Sequence, residues 1–593
     1  MDGTVANEAN LELRCRNPQN TRSERKQATI TNNCTGGIKT AEPLIKRPAF
    51  VSAVSRRKVR DLPGYAQWVI QLICFKSKTI DQGCRARVPG LARCWSFSCF
   101  SVGPRGDTLC CIGEVEENMH RRAFIKNSLA GLGSTLLLDV ACSSANHRPK
   151  ADPRLKGAFR SPERNGWTFV HLEGTPDEIG YQHGYLLADR IEDTTKVTIL
   201  EQTHGKKYGW DFYRNAAKDM LWPKIDPEYR EELQGIADGL RARGSKLDLW
   251  DVVALNASME WDYYVKEYDK THKTSTAAEL AVPEHCSAFV ATGSYTRDGK
   301  AVIAHNCWTG YLDGERWTII YDIVPAHGYR ILMDGFPGFI HSGDDFGINS
   351  AGIAITETTI SGFSGYDPTG IPEFVRARKG MQYSNSIDDY VRIMKTGNNG
   401  GYANNWLIAD IKTNEIADLE LGLKNVNVWR TKDGCFVGSN FPVSPKLASE
   451  ETSFNLHDMS ASANARHVRW NQLMAENKGK IDMAMAQKFL ADHYDTFQKK
   501  EEANERTLCG HVDLSPRGMG TWQPPYGPAG AVQNKGADAA MIEKMALSAS
   551  AGHCCGMGFN AAEHLQKHPE FDWQSPLLRD MPSEPWTVFS VAT

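Results

Sequence analysis

The sequence lacks the features that mark several common classes of protein. Its net charge is only −3 over 593 residues, so the charge gives no reason to expect nucleic acid or an anionic membrane as a partner. It has no Gly-rich loop of the kind that holds phosphate, and we expect neither a cofactor nor a metal. The apolar stretch from 129 to 138 is too short to span a bilayer, so we expect no transmembrane segment. The overall composition is that of an ordinary globular protein.

Residues 1–118 differ in composition from the rest of the chain. They carry 18 Lys or Arg against 11 Asp or Glu and 8 of the 15 cysteines, whereas all 17 histidines lie in the remaining 475 residues. The segment has no sustained helical or strand periodicity, and its cysteine spacing matches no disulfide framework. We therefore expect 1–118 to be a disordered upstream extension, with translation starting at Met119.

The segment that follows has the three parts of an export signal. Arg121 and Arg122 open a charged region, a short apolar stretch comes next, and small residues close the segment. The Arg-Arg-x-Phe-x-Lys pattern is similar to the bacterial twin-arginine signal, which exports folded proteins. The sequence therefore predicts a signal and linker over 119–149 and a periplasmic, envelope-bound or secreted protein. Lipid anchoring at Cys142 is a weaker alternative, because Asp139 fits that motif poorly.

The globular part divides into two regions of different character. Residues 150–285 are mostly helical in pattern, and the first helix begins with Thr175 as N-cap, Pro176 at its first position and Glu178 in its first turn. Residues 286–593 are rich in strands with turn signals between them, interrupted by helices. Strands flanked by helices predict an α+β layered fold.

Cys286 raises the question of function, because it stands at the front of a predicted strand in "AVPEHCSAFVATG". A buried structural cysteine is the ordinary reading of such a position. If the bond between His285 and Cys286 were cut, however, Cys286 would carry a free α-amine with a pKa of about 7.7–8.0. That amine can take the thiol proton, so one residue supplies both nucleophile and base.

A series of motifs in this region resembles the phospholipase B-like proteins. The motifs, in chain order, are "HCSAF", "AHNCWTGYLDGERW", "GFPGFIHSGDDFGINSAGIAITETT", "NNGGYANNWLIADIKTNEI" and "DGCFVGSNFPVSPKL". The same set is more distantly similar to acid ceramidase, penicillin acylases and isopenicillin N acyltransferase. The resemblance implies a four-layer αββα sandwich of the N-terminal-nucleophile type and hydrolysis of acyl esters or amides. It also implies autocatalytic cleavage before Cys286, into a light chain (150–285) and a heavy chain (286–593) that stay associated.

The resemblance also suggests roles for individual residues. Cys286 matches the nucleophile, and His305 and Trp308 match the His and Trp of the family's "HNxW" segment. The ceramidase and penicillin acylase branch usually has Arg and Asp there, which favours the phospholipase B-like branch. Asn404 matches the asparagine that helps to form the oxyanion hole, and Asn405 is the alternative if the alignment slips by one residue.

The sequence allows more than one role for two further groups of side chains. Arg466 and Arg469 either bind an anionic head group of the substrate or pair internally. Cys509, Cys554 and Cys555 are interpreted as structural cysteines, with a disulfide from Cys509 to one of the other two as one arrangement. Zinc bound by these cysteines and the nearby histidines is the less favoured reading, because the spacing is unusual for a zinc site.

Three other functions remain open. An acyltransferase would use the same chemistry, with an amine in place of water. A catalytically silent envelope protein would bind lipid without turnover. An uncut Cys-His hydrolase would pair the thiol of Cys286 with His305. The sequence leaves the choice between ester and amide, the acyl length and the oligomeric state open.

Overall fold

The computed structural model describes residues 97–101, 108–112, 152–273, 286–343, 346–520 and 522–591. The chain divides into two compact units, Met1–Ala141 and Cys142–Thr593. In the first unit, strands β1 (Phe97–Ser101) and β2 (Thr108–Ile112) pair antiparallel. The predicted signal, the linker cysteine Cys142 and the cleavage-site residue His285 lie outside the described residues.

The second unit contains both helices and strands, which confirms the predicted α+β class. Its helices are α1 (Pro176–Leu186), α2 (Ala188–Thr203), α3 (Trp210–Ala216), α4 (Pro227–Ala242), α5 (Leu249–Asn256), α6 (Trp261–His272), α7 (Tyr311–Gly314), α8 (Glu373–Tyr383), α9 (Ile387–Lys395), α10 (Pro445–Glu451), α11 (Ser462–Glu476), α12 (Met483–Leu490), α13 (Ala539–Glu543) and α14 (Ala561–Lys567). No helix among the described residues is both long enough and apolar enough to cross a membrane.

The strands of this unit form two large sheets and a separate two-stranded sheet. They are β3 (Phe159–Arg160), β4 (Thr168–Gly174), β5 (Ser287–Thr292), β6 (Val302–Gly310), β7 (Ile319–Pro325), β8 (Ile331–Gly335), β9 (Gly347–Asn349), β10 (Ile353–Thr359), β11 (Asn404–Asp410), β12 (Glu415–Leu421), β13 (Val426–Thr431), β14 (Gly434–Gly438), β15 (Tyr494–Asp495), β16 (Lys500–Glu501), β17 (Ala529–Asp538), β18 (Ala546–Ala551) and β19 (Thr587–Ser590). The nine-stranded sheet has the order β13-β12-β11-β10-β9-β8-β7-β4-β3, and the six-stranded sheet has the order β14-β5-β6-β17-β18-β19. The two-stranded sheet is β15-β16.

The predicted start of the first helix is confirmed. The hydroxyl of Thr175 accepts from the backbone N–H of Glu178, the Glu178 carboxylate accepts from the backbone N–H of Thr175, and Pro176 occupies the first turn. This capping box satisfies two backbone donors that the helix itself leaves unpaired. The strand before it, β4, pairs parallel with β7, so the region before 286 contributes to the nine-stranded sheet as well as helices.

Alternating side chains along the strands bury both faces of each sheet. On β5, Ala288 and Val290 belong to a core cluster shared with residues of the nine-stranded sheet such as Ile320. Phe289, the residue between them, joins a second cluster with Trp470 of α11. Successive strand residues point to opposite faces, so β5 lies between the other sheet on one side and helices on the other. A strand buried on both faces reads as a continuous apolar run, as "SAFVAT" does.

Candidate active site

Cys286 lies at the entry of an inner strand of the six-stranded sheet. β5 and β6 form a hairpin: they pair antiparallel, and Ala288 lies opposite His305. Cys286 immediately precedes β5, is completely buried, and has a φ of +84°. Only a few per cent of residues other than glycine adopt a positive φ, and such residues cost about 1–3 kcal/mol unless the surrounding structure holds them. The fold therefore keeps Cys286 in a strained conformation.

The carboxylate of Glu357 and the imidazole of His305 lie close to the thiol of Cys286. The thiol donates to Oε1 of Glu357 over 3.9 Å, and the hydroxyl of Tyr402 donates to the same oxygen over 3.0 Å. The ligand atoms of Cys286, His305 and Glu357 all lie within 4.8 Å of one another. Neither nitrogen of the buried His305 ring has a hydrogen-bond partner among the described residues. The three groups are close enough to exchange protons through at most one intervening molecule.

Arg466 holds the backbone of Cys286. Its Nη1 donates to the carbonyl oxygen of Cys286 and, over 3.1 Å, to the hydroxyl of Ser287. Its Nη2 donates to Oδ1 of Asn440 over 2.7 Å, and its guanidinium carbon lies 4.4 Å from the centroid of the Trp308 ring. The side chain is fully buried. A fixed guanidinium charge here favours a thiolate and disfavours a divalent cation, so the Cys286, His305 and Glu357 group is better suited to thiol chemistry than to holding a metal.

Asn404 and Asn405 differ in what their side chains bind. Asn404 is the first residue of β11, opposite Thr359 of β10, and neither polar atom of its buried amide has a hydrogen-bond partner in the described part of the chain. The Asn405 amide donates to the carbonyl of Phe441 over 2.9 Å. A buried amide without a partner is expensive, so it is a natural group to serve a reaction intermediate.

The structure brings four of the predicted site residues together. Cys286, His305, Trp308 and Arg466 lie in one contiguous group. Arg469 does not contact this group in the hydrogen bonds described: it makes a two-pronged contact with Asp492, at 2.9 and 2.6 Å. This is the internal pairing that the sequence left open.

Sequence reasoning missed Glu357 and Tyr402. Glu357 lies within "AITETT", a fully buried strand, and a carboxylate in such a strand is the signal that could have identified it. Tyr402 has a φ of +55°, which no sequence pattern indicates.

The three cysteines near the C-terminus form no disulfide. Cys509, Cys554 and Cys555 are all free thiols in the structure, so the disulfide considered from the sequence is not present. Cys509 is buried, while Cys554 and Cys555 are half-buried.

Comparison with known proteins agrees with the resemblance found in the sequence. The family model described as Phospholipase B matches residues 188–429. A putative phospholipase B-like 2 from Caenorhabditis elegans is 25% identical over 42% of this chain and 48% of its own length. An uncharacterized protein from Archaeoglobus fulgidus is 28% identical over 40% of each chain.

A more distant similarity extends to an acyltransferase. The 40 kDa form of acyl-coenzyme A:6-aminopenicillanic-acid-acyltransferase from Emericella nidulans is 23% identical over 38% of this chain and 57% of its own length. The chain spans about half the length of the curated relatives that it matches.

Proposed function

Because the chain is related to the phospholipase B-like proteins, we propose that it is a thiol hydrolase of the N-terminal-nucleophile type, cleaving acyl esters or amides. The observation that carries the proposal is the position of Cys286: buried, at the entry of an inner strand, with a φ of +84°. A strained backbone at Cys286 suits a residue whose preceding peptide bond is to be attacked, because strain raises the energy of the starting state before that bond breaks.

Maturation proceeds in two steps that use no outside group except water. The thiol of Cys286 attacks the carbonyl of His285, and the carbonyl carbon passes from nitrogen to sulfur, giving a thioester and a free α-amine. Water then hydrolyses the thioester, which leaves a carboxylate on His285 and restores the thiol. The helical region up to 285 remains bound, since β4 is an integral strand of the nine-stranded sheet.

In the mature enzyme the α-amine of Cys286 takes the thiol proton as the thiol attacks the substrate carbonyl. Glu357 accepts hydrogen bonds beside the thiol and stabilises the protonated amine. The amide of Asn404 donates to the oxyanion, a contribution of about 2.7–4 kcal/mol in other hydrolases. Arg466 holds the Cys286 carbonyl, and Trp308, which lies against Arg466, shapes the wall of the site. Water then releases the acyl group.

The fold that supports this chemistry is a four-layer αββα sandwich. Three buried clusters support the proposal: one between helices and the nine-stranded sheet, one between the two sheets, and one between the six-stranded sheet and the helices α11 and α12. Each cluster corresponds to one interface between adjacent layers.

Phospholipids or N-acyl amides are the substrate classes that follow from the family resemblance. An acyltransferase of the same fold is the second candidate, because one relative has that name. The two differ only in the group that accepts the acyl chain. An uncut Cys-His enzyme is the third, because a ring nitrogen of His305 lies within 4.8 Å of the Cys286 thiol.

The test is an activity screen with purified protein on lysophospholipids and N-acyl amides, with and without an added primary amine, beside Cys286→Ala. Release of free fatty acid that the variant lacks supports the hydrolase. Acylated amine in place of free acid identifies the acyltransferase. If lipid co-purifies with the protein but neither product forms, the protein is a binding module and the proposal is wrong.

A further inference from the structure

A second group of reactive side chains lies outside the proposed active site. It consists of His493, which follows α12, Cys509 and His511 on one loop, and Cys555, which follows β18. One ligand atom from each of the four lies within 4.8 Å of the others. Three separate segments of the chain thus bring two thiols and two imidazoles to one place, and none of them belongs to the Cys286 group.

The distances within the group match a tetrahedral metal site. Nε2 of His511 lies 3.6 Å from Sγ of Cys509 and 3.5 Å from Sγ of Cys555. With Zn–S bonds of about 2.3 Å and Zn–N bonds of about 2.0–2.1 Å, the sulfur-to-nitrogen edge of a tetrahedron is about 3.6 Å. The two edges that share His511 therefore already have the length that a central zinc ion requires.

The surroundings of the two histidines support the same reading. Nε2 of His493 is buried and has no hydrogen-bond partner among the described residues. Nδ1 of His511, the nitrogen that faces away from the sulfurs, lies 4.0 Å from Oδ1 of Asp513, and that oxygen accepts from the hydroxyl of Tyr311 over 2.7 Å. That separation is too long for a hydrogen bond, but it places a carboxylate on the side of His511 where zinc sites usually have one.

We propose that His493, Cys509, His511 and Cys555 form a structural zinc site of the Cys2His2 class. Two thiolates balance the charge of the ion, and four protein ligands close the coordination shell, as in structural rather than catalytic sites. The predicted twin-arginine signal is compatible with this site, because that route exports proteins that are already folded. The metal can then be bound before the protein reaches an oxidising compartment.

The site ties down a loop that supports the proposed active site. Gly510, between two of the ligands, lies against the indole of Trp308, where a Cβ atom would come within 2.2 Å of the ring. The carbonyl of Leu508 accepts from the side-chain amide of Asn306 over 3.1 Å. Both contacts are to β6, the strand that carries His305. Zinc would therefore fix the loop from 508 to 511 against the strand that carries part of the proposed active site.

The experiment measures bound metal in the full chain purified without chelators from zinc-supplemented cells. We expect about one zinc per chain in the wild type, a loss in Cys555→Ser, and no change in Cys554→Ser. Cys554 is the matched control, because it is adjacent, also half-buried and outside the group of four. Replacement of zinc by Co²⁺ should give the absorption bands of a tetrahedral ion with thiolate ligands. This readout uses the wild type alone, so it does not depend on folding of a variant.

Two results would overturn the proposal. The first is wild-type protein with no more zinc than Cys555→Ser and no thiolate–cobalt bands. The second is a denatured, unreduced protein in which Cys509 is found in a disulfide with Cys554 or Cys555. Neither result bears on the proposed hydrolase, because metal content is measured without substrate.

Discussion

Replacing Arg466 with lysine should both destabilise the protein and slow its maturation. Among its contacts with the described residues, the guanidinium donates four hydrogen bonds: to the Cys286 carbonyl, to the hydroxyls of Ser287 and Ser462, and to Oδ1 of Asn440. They leave from three different nitrogens in a rigid plane. Lysine keeps the charge but offers its donors from one atom, so it cannot reach all four acceptors.

The expected size of the effect follows from the hydrogen bonds that lysine cannot make. A hydrogen bond to a charged group contributes about 1.5–3 kcal/mol, so losing two of the four lowers the free energy of unfolding by about 3 kcal/mol or more. The side chain is fully buried, so water does not replace the missing donors. A displacement of the Cys286 carbonyl by about 1 Å should slow cleavage before Cys286 on the order of 100-fold.

Arg469→Lys is the matched control, because Arg469 is on the same helix and bonds to Asp492, away from Cys286. We expect it to cost about 1 kcal/mol and to leave maturation unchanged. Urea unfolding gives the stabilities, and the fraction of cleaved chain against time gives the maturation rate. If Arg466→Lys matures at the wild-type rate with unchanged stability, Arg466 does not position the nucleophile.

Three further predictions concern Glu357, the two asparagines and His183. Glu357→Gln should shift the acidic limb of the kcat/KM profile to lower pH by about one unit, because a carboxylate within about 4–6 Å of the Cys286 α-amine raises the pKa of that amine. A limb that stays at the same pH would contradict the role of Glu357 beside the amine. Asn404→Ala should lower kcat about 10²–10³-fold, whereas Asn405→Ala, whose amide donates to the Phe441 carbonyl, should mainly lower stability; equal losses of kcat would remove the distinction. Burial lowers the pKa of His183 to about 3, so acid should destabilise the wild type more than His183→Gln.

The sign of the His183 effect follows from proton uptake. Nε2 of His183 accepts from the backbone N–H of Gly338 over 3.0 Å, which requires the unprotonated nitrogen. Below about pH 6.5 the unfolded chain takes up a proton that the folded chain does not. The contribution of His183 to the free energy of unfolding is therefore complete above pH 6.5 and is lost as the pH falls from 6.5 towards 3. At pH 5 the loss is about 2 kcal/mol, measured as the difference between wild type and variant in urea unfolding at pH 7.5 and pH 5.

Features set by neighbouring residues could be predicted from the sequence. The hairpin after Cys286 follows from two apolar runs around an Asp-Gly turn, and the capping box at Thr175 follows from the spacing to Glu178. In both cases the interacting residues are close in the chain. The distinction between Asn404 and Asn405 needed the structure, because neighbouring strand residues face opposite sides and only the packed sheets show what each side contacts.

Features set by stacking of distant segments could not be predicted in this way. Glu357 reaches Cys286 across 71 positions in the chain, and Arg466 reaches it across 180. The group that contains His493 and Cys555 has no regular ligand spacing, because its ligands come from three loops that only the finished fold brings together. The sequence favoured structural cysteines there, with a disulfide from Cys509 as one arrangement, whereas the structure has free thiols.

The most direct test of the account is the intact mass of the purified protein under denaturing conditions, beside that of Cys286→Ala. We expect the wild type to give two fragments that meet between His285 and Cys286, and the variant to remain one chain. One unbroken chain in both samples, from folded protein, would contradict the N-terminal-nucleophile mechanism. It would leave the pairing of Cys286 with His305, or binding without catalysis, as the function to test.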